Sequence, residues 1–506
     1  MNNNSLYDKF IDSKTGITIP VFTSGRTVES RYDPVRECER LALQIKQNTN
    51  FVIVLGIAGG TLINCIQQIR PEIFILAVEK NEADINFLLQ LDKIKDMQNQ
   101  KNICLCTFQN LKNKITELYL PSLYGNLEVI EQKGWTTENQ DILSEINKSI
   151  SIALHIVSAD FSVQSHFGRL WQHNILSNLF FCNNQKVLNK LRISNNKTAV
   201  VFAAGPSLDD SIQQIINKRQ NYYLIATDTA FSLLVNYNLM PDAVISIDGQ
   251  FVSNTHFIHS KKSDFSTTTF IFDLSANCSA VKKLAKQNAN LLFFKSGHPF
   301  CEYADSRLGL ELPSLFSGAG TVTICAVDFA IKSGFKQILV LGADFAYING
   351  KPYAKGTYLD KLYNSSAFRL ESSQKKFCSL EFRTELEKIN NISFTTDVLK
   401  SYRQSFEEYL YNNNATVEKT DQVYSISNLK GQNMFLPAIQ NQKYCSPSSP
   451  PSASEIISLI KEVISKKDIS LLPLISWIRT HDNNNKADFD YYFNKAVQYF
   501  GKWLKM

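Results

Sequence analysis

The sequence lacks any apolar run approaching the roughly 20 residues that span a bilayer, so no membrane insertion is expected. Its start, MNNNSLYDKF, has neither an apolar h-region nor a small-residue cleavage pattern, and it reads as the start of a cytoplasmic protein rather than a signal peptide. Dense Lys/Arg blocks are missing as well. The 53 basic and 47 acidic residues leave a net charge of +6, spread thinly and without the basic, aromatic-interleaved stripe of a nucleic-acid binder. Nucleic acid is therefore not an expected partner, although mild basicity suits an anionic substrate. The 10 cysteines (38, 65, 104, 106, 182, 278, 301, 325, 378 and 445) show no zinc-knuckle or CxxC spacing; only Cys104 and Cys106 stand close. They read as small buried apolar residues of a reducing compartment, with no structural metal.

What is present is the material of a soluble globular protein. The 506 residues are 44% hydrophobic and 20% charged, with 33 Phe and 20 Tyr to fill cores, and the length points to two to four domains. Three sections separate by pattern: 1–160, 161–400 and 401–506. In the first, the apolar strand Phe51–Leu55 ends in Gly56-Ile-Ala-Gly-Gly60. An amphipathic segment and a second apolar strand, Ile73–Glu79, follow, which is the order of a βαβ unit with a buried parallel sheet. Asp33-Pro34 reads as a turn that opens a helix. In the second section, strands are expected at 197–204, 222–226, 243–247, 269–273, 291–294 and 337–341. Helical stretches between them make a doubly wound α/β architecture with a parallel sheet of about six strands. Residues 160–171 and beyond read as a helix that leads into it. After 400 the chain reads as mostly helical, with a Pro/Ser-rich linker at 445–452 and helices from Ser454, a plausible N-cap, and from Phe489.

Three places carry chemistry. Gly205-Pro206-Ser207 joins a strand to a helix. Its glycine permits close backbone approach, and the helix N-terminus offers amides to a phosphate or ribose; a packing turn would look the same. The next two strands end at Thr227-Asp228 and at Asp248, so two carboxylates face the edge where open α/β sheets bind ligands. They suit ribose hydroxyls, a base or a divalent ion, or else they cap the following turns. Last come the glycine-rich helix entry at Gly320-Thr321 and the strand-end loop with Asp344, Tyr347 and Tyr353, whose phenols can bond a phosphate oxygen.

Taken in order, Gly205-Pro-Ser-Leu208, Thr227-Asp-Thr-Ala230, Pro241–Asp248, Gly320–Ile324, Ala326–Ala330 and Leu341-Gly-Ala-Asp-Phe-Ala-Tyr347 resemble the central domain of the motility-associated factor family of flagellin glycosyltransferases. Ser30–Pro34, the glycine turn 56–60 with Glu79, and Trp171 with Asn174 and Asn178 match as well, so the resemblance covers about four fifths of the chain. It implies a Rossmann-like central domain of the GT-A-variant, sialyltransferase-like kind, flanked by a smaller N-terminal Rossmann-like domain and a helical C-terminal domain. The implied activity is transfer of a nonulosonic acid, of the pseudaminic or legionaminic type, from a CMP-activated donor to Ser/Thr of flagellin in support of motility.

The central section also resembles bacterial sialyltransferases that use CMP-sialic acid. That likeness implies donor binding by Gly205, Pro206, Ser207, Thr227, Gly320, Thr321 and Asp344. Asp228, Asp248, Tyr347 and Tyr353 are implied as the catalytic set, with the tyrosines steadying the departing CMP. It implies no required cofactor, and no metal where tyrosines and helix amides neutralise the phosphate. Those sialyltransferases place a histidine base beyond the tyrosine loop, but here no His lies between His298 and His481. His256, His259, His298, Asp344 and Asp360 are the alternatives, and none is assigned. Two rival readings stand beside this one. One is a hydroxymethylpterin diphosphokinase-like pyrophosphoryl transferase using ATP and Mg²⁺; the other is a non-catalytic flagellin-binding chaperone. The glycine turn at 56–60, which carries Ile57 and Ala58 in place of tight glycine spacing, is read as structural.

Overall fold

The computed structural model describes residues 5–182, 187–188, 190–193, 196–257, 264–420, 423–427, 429, 436–437, 444–445, 450–482 and 488–504. The chain divides into two compact units, one of Met1–Arg169 with Leu471–Lys502, the other of Leu170–Ser470 with Trp503–Met506. Among the described residues no helix is long and apolar enough to cross a membrane.

The first unit opens with an antiparallel hairpin, β1 (Tyr7–Asp12) and β2 (Thr18–Phe22). Asp33 then caps the helix Pro34–Ala42, with Pro34 at the position that needs no amide donor. Its main sheet holds β3 (Thr49–Leu55), β4 (Phe74–Glu79), β5 (Ile103–Thr107) and β6 (Asn126–Glu131) in the order β5-β4-β3-β6. All neighbours are parallel. The expected βαβ unit is there, as β3, the helix Thr61–Ile69 and β4. Every residue of β4 is buried, as the continuous apolar run requires of a sheet covered on both faces.

The second unit is built on a nine-stranded sheet. Its strands are β7 (Val187–Leu188), β9 (Thr198–Phe202), β10 (Tyr222–Thr227), β11 (Ala243–Ser246), β12 (Thr269–Asp273), β13 (Asn290–Phe294), β14 (Ile338–Leu341), β18 (Thr416–Thr420) and β19 (Val423–Ser427). The short strands β8 (Lys190–Ile193), β15 (Tyr347–Ile348), β16 (Glu387–Lys388), β17 (Ser393–Thr395), β20 (Leu436–Pro437) and β21 (Tyr444–Cys445) form two small sheets beside it. The order in the large sheet is β18-β19-β14-β9-β10-β11-β12-β13-β7. The six expected strands, β9 to β14, run parallel. From β9 the chain steps outward through β10 to β13 and then returns to place β14 on the other side of β9. The crevice between β9 and β14 is thus a topological switch point, where the connections diverge and leave the strands' C-terminal edge open.

Alternation along the strands fills two cores. Ala199, Val201, Ile225, Ile245 and Ile271 face the largely apolar helix Val322–Lys332, while Phe270 meets Phe231 of the opposite layer at 5.0 Å between ring centres. Past residue 400, where helices were expected, the antiparallel pair β18–β19 extends the sheet from β14. Helices Ala453–Ser465, Leu472–His481 and Phe489–Tyr499 follow. The cap of the first is Ser452, in a reciprocal capping box with Glu455, rather than the expected Ser454. Of the Pro/Ser-rich linker, residues 446–449 lie outside the described residues. The cysteines from Cys38 to Cys378 are free and mostly buried, as composition suggests.

Candidate functional site

The crevice at the switch point is closed by the chain itself. A Cβ on Gly205 would collide with Asp344 Oδ2 and the Gly342 carbonyl oxygen, and one on Gly342 (φ +72°) would press on the Ala203 carbonyl. These two positions need glycine because two loop backbones run against each other there. Ala203 N–H donates to Leu341 O at 2.9 Å and Gly205 N–H to Gly342 O at 2.8 Å. Ser207 N–H donates to Asp344 Oδ2 at 2.9 Å. The Ser207 amide, expected to face a phosphate, is therefore occupied by Asp344, and Gly205-Pro206-Ser207 with Asp344 forms a brace. Burial raises the Asp344 carboxyl above its ordinary range, opposed by the Ser207 bonds and by nearby Lys419 and Arg403. The brace extends to the tyrosine loop: Ala354 N–H donates to Ala204 O at 2.8 Å and Lys355 N–H to Asp209 Oδ2 at 3.0 Å. Tyr353 is thereby pinned beside the ends of β9 and β10.

One strand further on, polar groups converge. Thr227 caps the helix Asp228–Asn236 by accepting from Ala230 N–H at 3.3 Å, while its own hydroxyl donates to Phe202 O at 3.1 Å. That leaves Asp228, the next residue, free of capping duty. Its Oδ1 accepts from the Thr229 amide at 2.7 Å and hydroxyl at 3.1 Å, and its Oδ2 from Ser246 Oγ at 2.7 Å. His256 Nδ1 lies 3.5 Å from Oδ1. Burial alone would raise the Asp228 carboxyl, but the His256 charge and these hydrogen bonds outweigh it and hold the group below its ordinary range. Asp248, half-buried at the end of β11, moves the other way: burial raises it, and the Asp228 charge adds to the rise against the Gln250 amide and His256. Two neighbouring carboxylates thus have opposite protonation tendencies.

Tyrosines cover this pair. The Tyr358 ring lies 4.4 Å from the His256 ring and 6.2 Å from the Tyr353 ring. Burial pushes both phenols up, and Asp228 adds to each. Tyr347, on β15, is raised by its own burial and lies within electrostatic reach of Tyr353. Asp360, weighed as a base, instead accepts from Gly356 N–H at 3.0 Å and from Asn364 at 3.1 Å, which fixes the turn that carries Tyr358.

The loop after β11 is held from behind by carboxamides. Asn174 donates to the carbonyls of Gly249 and Ser275, both at 3.0 Å, and Asn178 to those of Leu274 and Ala276, both at 2.9 Å. Trp171 Cδ1 would lie 3.2 Å from a Cβ on Gly249, and the indole meets the His298 ring edge-on at 5.7 Å. His298 itself caps the helix Pro299–Leu308 through Nδ1, and burial pushes its pKa down to about 3. A ring so occupied is an unsuitable base at neutral pH. His259 lies outside the described residues.

Gly320 and Thr321 open the helix Val322–Lys332, Thr321 accepting from Thr323 N–H at 3.4 Å. That helix packs under β9, β10 and β11 and is joined by a short connection to the start of β14. Its N-terminus therefore lies at the edge where the parallel strands end. The turn packs against the helix Asp397–Asn412, whose Arg403 donates to the Asp344 carbonyl at 3.3 Å and whose Tyr402 lies within electrostatic reach of Tyr353.

Sequence reasoning missed Tyr358 in the group and a further strand-end carboxylate, Asp273. Tyr358 follows Tyr353 by five residues and has no strand to mark it. Asp273 ends β12 as Asp228 and Asp248 follow β10 and β11, and it binds the Ser275 amide at 2.7 Å while burial raises it. A search for every strand-terminal carboxylate would have found it. Among the described residues no group of three or more His, Cys, Asp or Glu is placed to hold a metal ion.

Against known proteins, residues 173–350 match a family model described as 6-hydroxymethylpterin diphosphokinase MptE-like. An uncharacterized protein of Treponema pallidum (strain Nichols) is 38% identical over 146 residues, 28% of this chain and 51% of that protein. The chain thus spans about half the length of that relative. A second protein of the same organism is 38% identical over 154 residues, 30% of this chain and 72% of that protein. Among solved structures, the MAf glycosyltransferase from Magnetospirillum magneticum AMB-1 superposes with a TM-score of 0.52 at 10% identity, covering 99% of this chain and 86% of that one. At that identity the likeness shows the fold. With 38% identity over 72% of its length, the second Treponema pallidum protein and this chain belong to one family, built on the fold seen in a MAf glycosyltransferase.

Proposed function

We propose that the second unit is a glycosyltransferase that moves a nonulosonic acid from a CMP-activated donor onto Ser/Thr hydroxyls of flagellin in the cytoplasm. The observation that carries this reading is the pairing of Asp228, Asp248, Tyr347, Tyr353 and Tyr358 at the open strand edge with a fold shared over 99% of the chain with a MAf glycosyltransferase. Departure of CMP from the anomeric carbon leaves an oxocarbenium-like sugar and a doubly charged phosphate. Protonated phenols, kept so by burial, donate hydrogen bonds to that phosphate. The Thr321 helix N-terminus supplies a positive dipole end at the same edge. Asp248 is placed for the ribose or the acceptor. Flagellin and the identity of the sugar rest on the motif resemblance.

Intact-mass measurement of flagellin coexpressed with this protein and a CMP-nonulosonate pathway tests it. A mass increase by one or more nonulosonic acid residues is expected. Unmodified flagellin, with donor present in the cell, overturns the reading.

The match of residues 173–350 to the MptE-like model favours a second reading, pyrophosphoryl transfer from ATP–Mg²⁺ to a pterin alcohol. Calorimetry separates the two. Binding of CMP supports the sugar transferase, and preference for ATP–Mg²⁺ supports the kinase.

A further inference from the structure

The functional reading leaves open which group takes the proton from the acceptor. We infer that Asp228 does not touch substrate but works through His256, whose imidazole is the base of the site. This rests on the sugar-transfer reading above.

Asp228 presents almost no surface to a ligand. It is 2% exposed, and both oxygens are engaged, by Thr229 and by Ser246. A carboxylate in that state positions a neighbour rather than a ligand. The neighbour is His256, with Nδ1 3.5 Å from Asp228 Oδ1. It is carried by the short helical turn Phe251–Phe257, anchored where Ser253 Oγ donates to the Gln250 carbonyl at 2.7 Å. The imidazole ring is further fixed by the Tyr358 ring at 4.4 Å. His256 Nδ1 is buried and has no hydrogen-bond partner as the ring stands, so the carboxylate 3.5 Å away is the group toward which a hydrogen on Nδ1 would turn, and that hydrogen leaves Nε2 as the acceptor nitrogen. The other titratable groups acting on the pair are Asp248, Tyr353, Tyr358 and the buried Cys325. The helix Cys278–Lys286, which also packs on this turn, buries Cys278, Ala280, Val281 and Leu284 and exposes Lys282 and Lys286.

In the reaction, the acceptor hydroxyl oxygen forms the new bond to the anomeric carbon. The bond from that carbon to the phosphate oxygen breaks, and its electron pair leaves with CMP. The hydroxyl proton passes to His256 Nε2 and from there to solvent. The imidazolium so formed is stabilised by Asp228, while Ser246 keeps the carboxylate from rotating away.

The test compares His256→Gln and Asp228→Asn with the full-length wild-type chain, using CMP binding and flagellin modification as separate readouts. Loss of the base lowers kcat by about 10²–10⁴-fold and leaves the affinity for CMP within threefold, since the donor side is untouched. Asp228→Asn is expected to fall between His256→Gln and the wild type. If His256→Gln binds CMP and transfers within threefold of the wild-type rate, the inference is overturned while the transferase reading stands. If the wild type itself transfers no sugar, the transferase reading fails. The pair is then judged by nitrogen-15 NMR of the histidine rings in the wild type and Asp228→Asn. The Nδ1–H form of His256 is expected only where Asp228 is intact, and an unchanged tautomer overturns the pairing.

Discussion

The two glycine turns of this protein look alike in sequence and differ in what surrounds them. Each follows a parallel strand at the point where strand order reverses, Gly56–Gly60 after β3 and Gly205–Ser207 after β9. In the first unit the turn is sealed. Glu29 accepts from the Gly59 and Thr61 amides at 3.2 and 3.1 Å, where a phosphate would otherwise sit. Trp135 fills the space over Gly56. Glu79 is fully buried and takes bonds from the Ile57 amide (2.7 Å), Trp135 Nε1 (2.7 Å) and the Tyr7 hydroxyl (3.0 Å). In the second unit Asp344 seals the turn in the same manner, but the polar network does not stop there. It runs on through Asp228 to half-buried Asp248 and the tyrosine loop. A glycine turn is thus a packing device in both units, and ligand capacity depends on the strand ends next to it.

The strongest test of this contrast is Trp135→Ala, which removes the cover from Gly56 and one donor from Glu79. Chemical denaturation is expected to show a loss of about 3–5 kcal/mol. Next comes pH. Burial pushes Glu79 up to about 7, whereas an unfolded glutamate ionises near about 4.3. Between those values the unfolded chain sheds a proton that the folded one keeps. Stability of the first unit therefore falls as pH rises from about 4.3 to about 7, by roughly 4 kcal/mol, and levels off above. Glu79→Gln should flatten that slope in urea melts followed by tryptophan fluorescence.

A smaller effect, about 1–3 kcal/mol, is expected of Gly205→Ala in the second unit, where the added methyl meets backbone that cannot swing aside. For Glu29→Ala the loss should be about 1–2 kcal/mol. Sulfate should then raise the melting temperature of that variant more than that of the wild type, since the freed amides form an anion site in addition to the general stabilisation by the salt. If sulfate has no such effect, the idea that Glu29 is what closes the turn fails. Phe251→Ser, at a residue 72% exposed beside Asp248, should change stability by less than about 0.5 kcal/mol.

The parallel strands, the βαβ unit, the helix opened by Asp33-Pro34 and the strand-end positions of Asp228 and Asp248 were legible because each is written locally, in apolar runs and in the turn residues that end them. The antiparallel pair β18–β19 was not. Its first strand, Thr416–Thr420, is exposed throughout and lacks the alternation that marks a half-buried strand. The roles within the site were less legible still. Asp344 reads as a ligand residue in sequence but fills the space over Gly205, 139 residues away along the chain. Tyr358 carries no mark of its own and belongs to the site only because the brace from Ala204 to Ala354 brings its loop back over β10.

Sequence alone, then, determined that this is an α/β protein with carboxylates at successive strand ends, since strand periodicity and turn chemistry are short-range properties. Tertiary structure decided which of those carboxylates face outward. Asp344 and Asp228 are spent on internal amides and hydroxyls, Glu29 closes a turn 30 residues away, and Asp248 with the tyrosines is left at the open edge. Such choices turn on which hydrogen-bond donors the folded chain brings within 3 Å of each oxygen, and that follows from contacts between residues far apart in sequence.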